Sequence, residues 1–242
     1  MEEQLLFVER IRLYRLNNIL VNSFIIHSRH YSETSMIYDI LTDTNGLISI
    51  IAKGIKKKKD GLSMQPFREI QLTFTKAKLP LLTKHDVLTS FVKISKKYML
   101  QGMYFNELIY KFIPKNEPLL SLYNLYKNQL MFMSNTDNDQ KCFLLRFEYL
   151  FLKEIGYEIN LAYDENYAIK KNINYYYKFG QGFLESSNNM NERTLVSGKS
   201  IDDLLNYRFN LIGDIDNLRF IAKTIIREQL GDKNIKSYDM LD

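Results

Sequence analysis

The chain has 242 residues, 45% of them hydrophobic, and a formal net charge of +5. This composition supports a packed core and excludes a disordered chain, and no run approaches the ~20 apolar residues of a transmembrane helix. The single cysteine, Cys142, excludes an internal disulfide and a cysteine-based zinc site. Together with the acidic Glu2 and Glu3, found where a secretory signal has basic residues, it predicts a cytoplasmic protein.

Basic residues are concentrated in one stretch near the N-terminus. Residues 23–97 contain 13 Lys and Arg against 6 Asp and Glu, whereas residues 98–242 contain 17 against 19. Such asymmetry is typical of a protein whose basic part contacts nucleic acid or a membrane surface.

The first elements in the chain have the pattern of short strands. Residues 1–22 form an N-terminal extension with loose helical spacing, and from Ser23 onward β-like runs follow at 24–28, 35–41, 47–52, 68–75 and 79–83. The run 68–75 alternates apolar and polar residues as a half-buried strand does, and the Asp-Thr-Asn-Gly sequence at 43–46 indicates a hairpin turn. The pattern predicts a five-stranded oligonucleotide-binding (OB) barrel over residues 23–87.

A lysine-rich loop connects the third and fourth predicted strands. Its turn-rich segment holds five lysines that a polyanion can reach, namely Lys53, Lys56, Lys57, Lys58 and Lys59. The neighbouring strands add four more basic residues, namely Arg29, Arg68, Lys76 and Lys78. These nine residues form a candidate phosphate-binding face, and a solvated charge run without a ligand is the alternative. Tyr31, Phe67 and Phe74 adjoin the face and are candidates for base stacking, although Phe74 alternates like a core residue.

After about residue 86 the apolar period becomes helical. Apolar stripes predict one helix through Met99, Met103, Leu108 and Phe112, and further long helices from 119, from 143 to Gly156 and from Asp214 to 230. A shorter helix is predicted from Ser200. Residues 157–199 are poorly periodic and read as an irregular insertion with a small hairpin at 175–183. The sequence therefore predicts an α+β protein in which an all-helical domain, residues 88–242, follows the barrel.

The chain lacks the sequence patterns of common catalytic sites. The three histidines have no metal-ligand spacing, and neither a glycine-rich phosphate loop nor a GxSxG nucleophile motif is present. Paired carboxylates stand at the starts of predicted helices, where the helix dipole favours negative charge: Asp202 with Asp203, and Asp214 with Asp216. These observations predict a binding protein without enzymatic activity or cofactor.

Several motifs occur in an order that resembles a known family. The segment FIIHSRHYSETSMIYDILTDTNGLISIIAKGIKKKK, with LSMQPF after it, is similar to the start of the RecO recombination-mediator family of bacterial DNA repair. The resemblance continues in GMYFNELIYKFIP at 102–114, LRFEYLFLKEIGYEINL at 145–161, YYYKFGQGF at 175–183 and LGDKNIKS at 230–237. It covers the chain from Ser23 onward and leaves the first 22 residues unmatched.

The resemblance implies a function and its partners. Family members bind single- and double-stranded DNA, anneal complementary strands and work with RecR to load RecA onto strands coated by single-stranded DNA-binding protein. The resemblance places the DNA face on the nine basic residues above and the docking of the coating protein's acidic C-terminal tail on Lys141 and Arg146. Some relatives have arginine where this chain has Leu145, and many carry a four-cysteine zinc module that one cysteine cannot form. Another OB-fold module, such as an RNA-binding or translation-associated factor, is the alternative function.

Overall fold

A computed structural model describes residues 18–57, 63–91, 96–135, 139–160, 169–186, 192–231 and 234–241. These residues fall into two compact units, one within Met1–Asn135 and Ile235–Asp242 and the other within Thr136–Asn234. The domain boundary was predicted at residue 87, where the apolar pattern changes from a strand period to a helical period. This position falls inside the first unit.

Five antiparallel strands form a barrel in the first unit. They are β1 (Asn18–His30), β2 (Met36–Thr42), β3 (Gly46–Ala52), β4 (Arg68–Thr75) and β5 (Leu82–Ser90), in the sheet order β3-β2-β1-β4-β5. The two edge strands meet, because the backbone N–H of Ile51 donates to Pro80 O at 2.8 Å and Ile51 forms a parallel bridge with Leu81. The predicted α+β fold with an N-terminal OB-like barrel is confirmed.

Alternating apolar residues fill the barrel. Val21 and Ile25 of β1 meet Ile40 of β2, Ile50 of β3 and Leu72 of β4 in one buried cluster. Because side chains of a strand point to opposite faces in turn, this alternation leaves the other face of each strand for helices or solvent.

Two strand boundaries differ from the prediction. β1 begins at Asn18 rather than at residue 24, since Asn18 pairs with Thr75 and the pairing continues to Phe24 opposite Glu69. β5 covers Leu82–Ser90 rather than 79–83. Pro80 precedes the strand because it has no N–H for a ladder, and most β5 side chains are exposed, so no apolar alternation marks the strand.

The described part of the chain contains six α-helices. They are α1 (Lys96–Phe112), α2 (Leu120–Asn135), α3 (Gln140–Glu154), α4 (Gly198–Leu205), α5 (Ile215–Leu230) and α6 (Tyr238–Leu241). In the first unit α2 covers the outer face of β1. The ring centroid of Phe24 lies 5.3 Å from that of Tyr123 and 5.1 Å from that of Tyr126. On α1 the buried side includes Tyr104 and Leu108.

The predicted apolar stripe of α1 is partly wrong. Met99 and Met103 were assigned to it together with Leu108, but both methionines are exposed. The buried positions are Tyr98, Phe105 and Leu108, whose spacing gives a different helical face. Several adjacent apolar residues in this segment offer more than one stripe, and only packing against the barrel selects one of them.

The second unit combines helices with a small sheet. Helix α3 packs against α5, and the buried Glu148 of α3 accepts a hydrogen bond at 3.3 Å from Arg219 of α5. The predicted hairpin is present as β6 (Asn174–Lys178) paired with β7 (Gly182–Glu185). A third strand, β8 (Leu195–Ser197), pairs with β6 and was not predicted, so this helical region also contains a three-stranded sheet.

Candidate nucleic-acid interface

A β-bulge in β1 turns two side chains to the outer face of the barrel. The pairing of β1 with β2 passes from Ile25 opposite Ile40 to His27 opposite Asp39, so Ile26 is an extra residue. Ile25 and Ile40 belong to the barrel core. In a regular strand His27 and Arg29 would share the inward face of Ile25, because they lie two and four residues after it. The bulge shifts the alternation by one residue, so both lie on the same face as Asp39.

Asp39 is fully buried and is the centre of a polar cluster. Arg29 Nη1 donates to Asp39 Oδ2 at 2.5 Å, and His27 Nδ1 lies 3.3 Å from the same oxygen. Lys115 Nζ and Ser49 Oγ donate to Asp39 Oδ1. Burial alone raises the pKa of Asp39, but the hydrogen bonds from Lys115 and Ser49 and the charges of Lys115 and Arg29 outweigh it and hold the pKa below its ordinary value. The ionised carboxylate therefore fixes both cations in place.

A cleft of about 450 Å³ opens beside this cluster, and we call it the basic cleft. Arg29 and Lys115 line it together with Lys76 and Lys78, which lie exposed in the bend between β4 and β5. No Asp or Glu is present among the described residues that line the cleft. Four cations therefore surround the recess, and the buried Asp39, which pairs with Arg29 and Lys115 behind the lining, balances only one of their charges. A recess with an excess of positive charge is the arrangement that phosphate groups favour.

The lysine-rich loop is described only in part. Lys53 is exposed after β3, and Lys56 is exposed in the short 3-10 helix Ile55–Lys57, to which Lys57 also belongs. The Nζ of Lys56 donates to Ser32 O at 3.2 Å, which ties this helix to the β1–β2 turn. Within the described chain, neither Lys53 nor Lys56 lines the basic cleft. Lys58 and Lys59 lie outside the described residues.

The remaining candidates, Arg68 and three aromatic residues, differ in how far they are buried. Arg68 is partly buried at the start of β4. Phe67 is buried with a φ of 63°, and a Cβ added to Gly102 of α1 would approach its ring to 2.6 Å. Phe74 is among the residues that line the basic cleft, but it is only 2% exposed and belongs to the barrel core. Burial therefore assigns both phenylalanines to packing, whereas Tyr31 is exposed.

Comparison with known proteins gives a consistent match along the chain. The family model described as Recombination protein O N terminal matches residues 17–91, and the one described as Recombination protein O C terminal matches residues 97–211. The chain belongs to the RecO family of DNA repair proteins. The barrel with Arg29, Lys76 and Lys78 falls in the first match, and Lys115 falls in the second.

Individual RecO proteins are similar over almost their full length. The DNA repair protein RecO of Nitrosospira multiformis is 29% identical over 227 residues, which cover 90% of this chain and 93% of that protein. The DNA repair protein RecO of Mannheimia succiniciproducens is 25% identical over 220 residues, which cover 89% of this chain and 96% of that protein. The resemblance predicted from the motifs is confirmed.

Both residues predicted to dock the partner tail lie on α3 in the second unit. Lys141 is exposed, and its Nζ lies 2.7 Å from Oδ2 of the exposed Asp216. Arg146 is partly buried, and burial lowers the pKa of its guanidinium. An α-helix turns by about 100° per residue, so these two side chains leave its axis about 140° apart. Leu145, where some RecO proteins have arginine, is fully buried in this chain.

Two residues of the basic cleft and its cluster were missed by the sequence analysis. Lys115 follows Pro114 in the connection between α1 and α2, where a single lysine carries no local signal. Asp39 stands in an apolar strand and was not considered as a partner for cations. A charged residue within such a strand is a usable signal, because a buried carboxylate requires cationic or hydrogen-bonding partners.

Neither a metal site nor a membrane-spanning helix is found among the described residues. Among the residues it describes, no group of three or more His, Cys, Asp or Glu side chains is arranged to hold a metal ion. None of the helices described has both the length and the apolar character needed to cross a membrane.

Proposed function

We propose that this RecO-family protein binds single- and double-stranded DNA through the basic cleft and anneals complementary strands. With RecR, it helps to load RecA onto strands coated by single-stranded DNA-binding protein. The observation that carries the proposal is the convergence of Arg29, Lys76, Lys78 and Lys115 on one recess whose described lining has no carboxylate. The protein acts by binding and not by catalysis, in the cytoplasm, and requires no cofactor.

The basic cleft supports annealing by electrostatics. Cations that contact phosphates release condensed counterions and lower the repulsion between two strands, so complementary bases can approach. Asp39 holds Arg29 and Lys115 before DNA arrives. Because these side chains are already ordered, binding costs less conformational entropy than it would for free side chains. In our proposal the lysines of the loop after β3, Lys53 and Lys56 to Lys59, together with Arg68, extend the contact with the DNA backbone.

The second unit carries the contact with the coating protein. In our proposal Lys141 and Arg146 of α3 attract the acidic C-terminal tail of single-stranded DNA-binding protein. Lys141 reaches the tail by exchanging its exposed ion pair with Asp216 for one with a tail carboxylate. Exposed pairs of this kind contribute little stability, so the exchange costs little.

The basic cleft is tested by the salt dependence of DNA binding. We expect the double variant Lys76→Ala/Lys78→Ala to bind a single-stranded oligonucleotide more weakly. The slope of log K against log salt should fall by about 1.4, since each lost phosphate contact on single strands contributes about 0.7. Fluorescence anisotropy at several salt concentrations measures the slope.

A charge-matched variant and a functional assay complete this test. Lys178→Ala/Lys199→Ala removes two exposed lysines of the second unit and should leave the slope unchanged. The cleft variant should also slow the annealing of DNA strands that are precoated with single-stranded DNA-binding protein. This assay contains no nucleoside triphosphate. An equal loss of slope in both double variants would contradict a DNA site in the basic cleft.

A further inference from the structure

A second recess lies next to the Asp39 cluster in the first unit, and we call it the α1 groove. It has a volume of about 360 Å³ and is lined by β1, α1 and the residues before α6. Its main lining residues are Ile26, His27, Met103, Asn106, Tyr110 and Lys236. The DNA contacts proposed above do not use it.

One wall of the α1 groove offers an exposed aromatic surface. Tyr110 is 38% exposed, and its ring is stacked on that of His27 with centroids 4.5 Å apart and planes at 28°. Lys115 Nζ lies 6.0 Å from the centre of the same ring. Met103 adds an exposed thioether to the lining. Flat aromatic surfaces beside a cation bind other planar rings well.

The lining of the α1 groove includes a buried amide with unused hydrogen-bonding capacity. Asn106 is 3% exposed, and its Oδ1 accepts a hydrogen bond from Tyr126 Oη at 2.6 Å. Its Nδ2 has no hydrogen-bond partner among the described residues. Buried polar groups are nearly always satisfied, so an unsatisfied one in a residue that lines a recess points to a ligand that supplies an acceptor.

The rim of the groove is basic on balance. The carboxylate of Glu107 accepts hydrogen bonds from the backbone of Lys236 and of Ser237 and pairs with Lys111 at 3.6 Å. These contacts satisfy the only acidic side chain among the described lining residues. With Lys111 and the exposed Lys236 against this one carboxylate, the rim has a net charge of +1. The ligand is therefore expected to carry negative charge next to its planar group.

We propose that the α1 groove binds an unstacked nucleobase of single-stranded DNA that lies in the basic cleft. This inference rests on the proposed function. The two recesses adjoin, because Lys115 lines the basic cleft and also approaches Tyr110, and because His27 of the groove and Arg29 of the cleft share Asp39. A base on Tyr110 presents ring nitrogens or carbonyl oxygens to Asn106, while its phosphates face the lysines. This continuity favours a nucleotide over an acidic peptide as the occupant.

Strands with and without bases test the inference. The protein is titrated by fluorescence anisotropy with a single-stranded oligonucleotide and with an abasic strand of equal length and phosphate number. We expect the wild type to bind the base-bearing strand about tenfold more tightly, as stacking on one aromatic residue provides. Tyr110→Ala should remove most of this tenfold affinity ratio between the two strands and leave the salt slope unchanged. Tyr110→Phe should retain the affinity ratio because it keeps the aromatic ring.

Control variants separate stacking from general effects. Tyr157→Ala removes an exposed tyrosine of the second unit and should not change the ratio. Asn106→Ala should lower the ratio without removing the ring, and circular dichroism checks that the variants are folded. Tyr110 is exposed, so its replacement leaves the fold intact even where a change of the buried Asn106 does not.

Each remaining outcome has a definite meaning. Equal wild-type affinity for the two strands, or an equal effect of Tyr110→Ala on both, overturns base binding and leaves the proposed DNA function standing. Binding of an acidic peptide that Tyr110→Ala abolishes, together with equal wild-type affinity for the two strands, would assign the groove to a protein partner and also overturn base binding. A wild type that binds neither strand at low salt overturns the proposed function together with this inference.

Discussion

A single buried carboxylate organises the basic side of the barrel. Asp39 pairs with Arg29 from the neighbouring strand and with Lys115, which lies 76 residues away in the sequence. Composition alone predicted that basic residues gather near the N-terminus. It did not reveal which of them converge, because an ion pair across this separation leaves no local pattern.

Replacement of Asp39 should destabilise the first unit. Asp39→Ala leaves Arg29 and Lys115 beside the barrel without their carboxylate, and we expect a loss of about 2 kcal/mol in the free energy of unfolding. This is less than for a wholly buried pair, because both cations are partly exposed. Asp86→Ala, which breaks the exposed pair with Lys84, should change stability by less than about 1 kcal/mol. Urea unfolding measures both.

The effect of Asp39 should depend on pH. Folding lowers the pKa of Asp39 below its ordinary value of 3.8, so its stabilising contribution is fully present above that value. It is lost as the pH falls through the folded pKa. The difference in stability between the wild type and Asp39→Asn should therefore shrink on acidification below about pH 4. A difference that grows on acidification would contradict the assigned direction.

At the scale of elements, the local pattern predicted the strands with strong alternation and missed the one without it. The strands β2, β3 and β4 were predicted within one residue, whereas β5 is mostly exposed and was misplaced. The bulge at Ile26 was also missed. A bulge is an extra residue relative to the partner strand, so it becomes visible only when the register of both strands is known.

The turn between β2 and β3 should tolerate no side chain at Gly46. Gly46 and Gly54 both have a φ of +67°, which costs an alanine about 1 kcal/mol. At Gly46 an added Cβ would also lie against the backbone of Glu117, whereas at Gly54 no atom of the described residues lies within 4 Å of that position. We expect Gly46→Ala to cost at least about 3 kcal/mol and Gly54→Ala about 1 kcal/mol in urea unfolding.

The Gly46 variant also connects stability with the site. The segment around Glu117 contains Lys115, and Asn116 N donates to Leu47 O at 3.0 Å next to Gly46. Displacing this segment should weaken DNA binding in the folded fraction of Gly46→Ala. Gly54→Ala should bind DNA like the wild type, and similar losses in both variants would argue against a steric cause.

At the scale of the whole molecule, the protein divides into two compact units with separate proposed roles. The basic cleft lies within the first unit, and Lys141 and Arg146 lie within the second. The change from a strand period to a helical period predicted the order of barrel and helices. It did not predict that α1, α2 and α6 join the barrel in one unit, because period describes an element and not its packing partner.

The two roles should be separable by mutation. Lys141→Ala/Arg146→Ala should weaken binding of the acidic C-terminal tail peptide of single-stranded DNA-binding protein by about fivefold or more, because charge pairing is lost. The same variant should keep the wild-type salt slope for DNA. Lys76→Ala/Lys78→Ala should show the reverse, as expected for independent sites in different units. Calorimetric titration of the peptide measures the first effect, and a tail affinity unchanged by the α3 variant would refute this docking site.

The sequence by itself determined the family, the order of barrel and helices and the basic character of the N-terminal part. These properties depend on residue identity, motif order and period, which are local. Only the tertiary structure decided that Arg29, Lys76, Lys78 and Lys115 line one cleft, that Asp39 anchors two of them and that Tyr110 borders a second recess. Barrel closure and the bulge in β1 bring distant residues together, and their geometry depends on the register of all five strands at once.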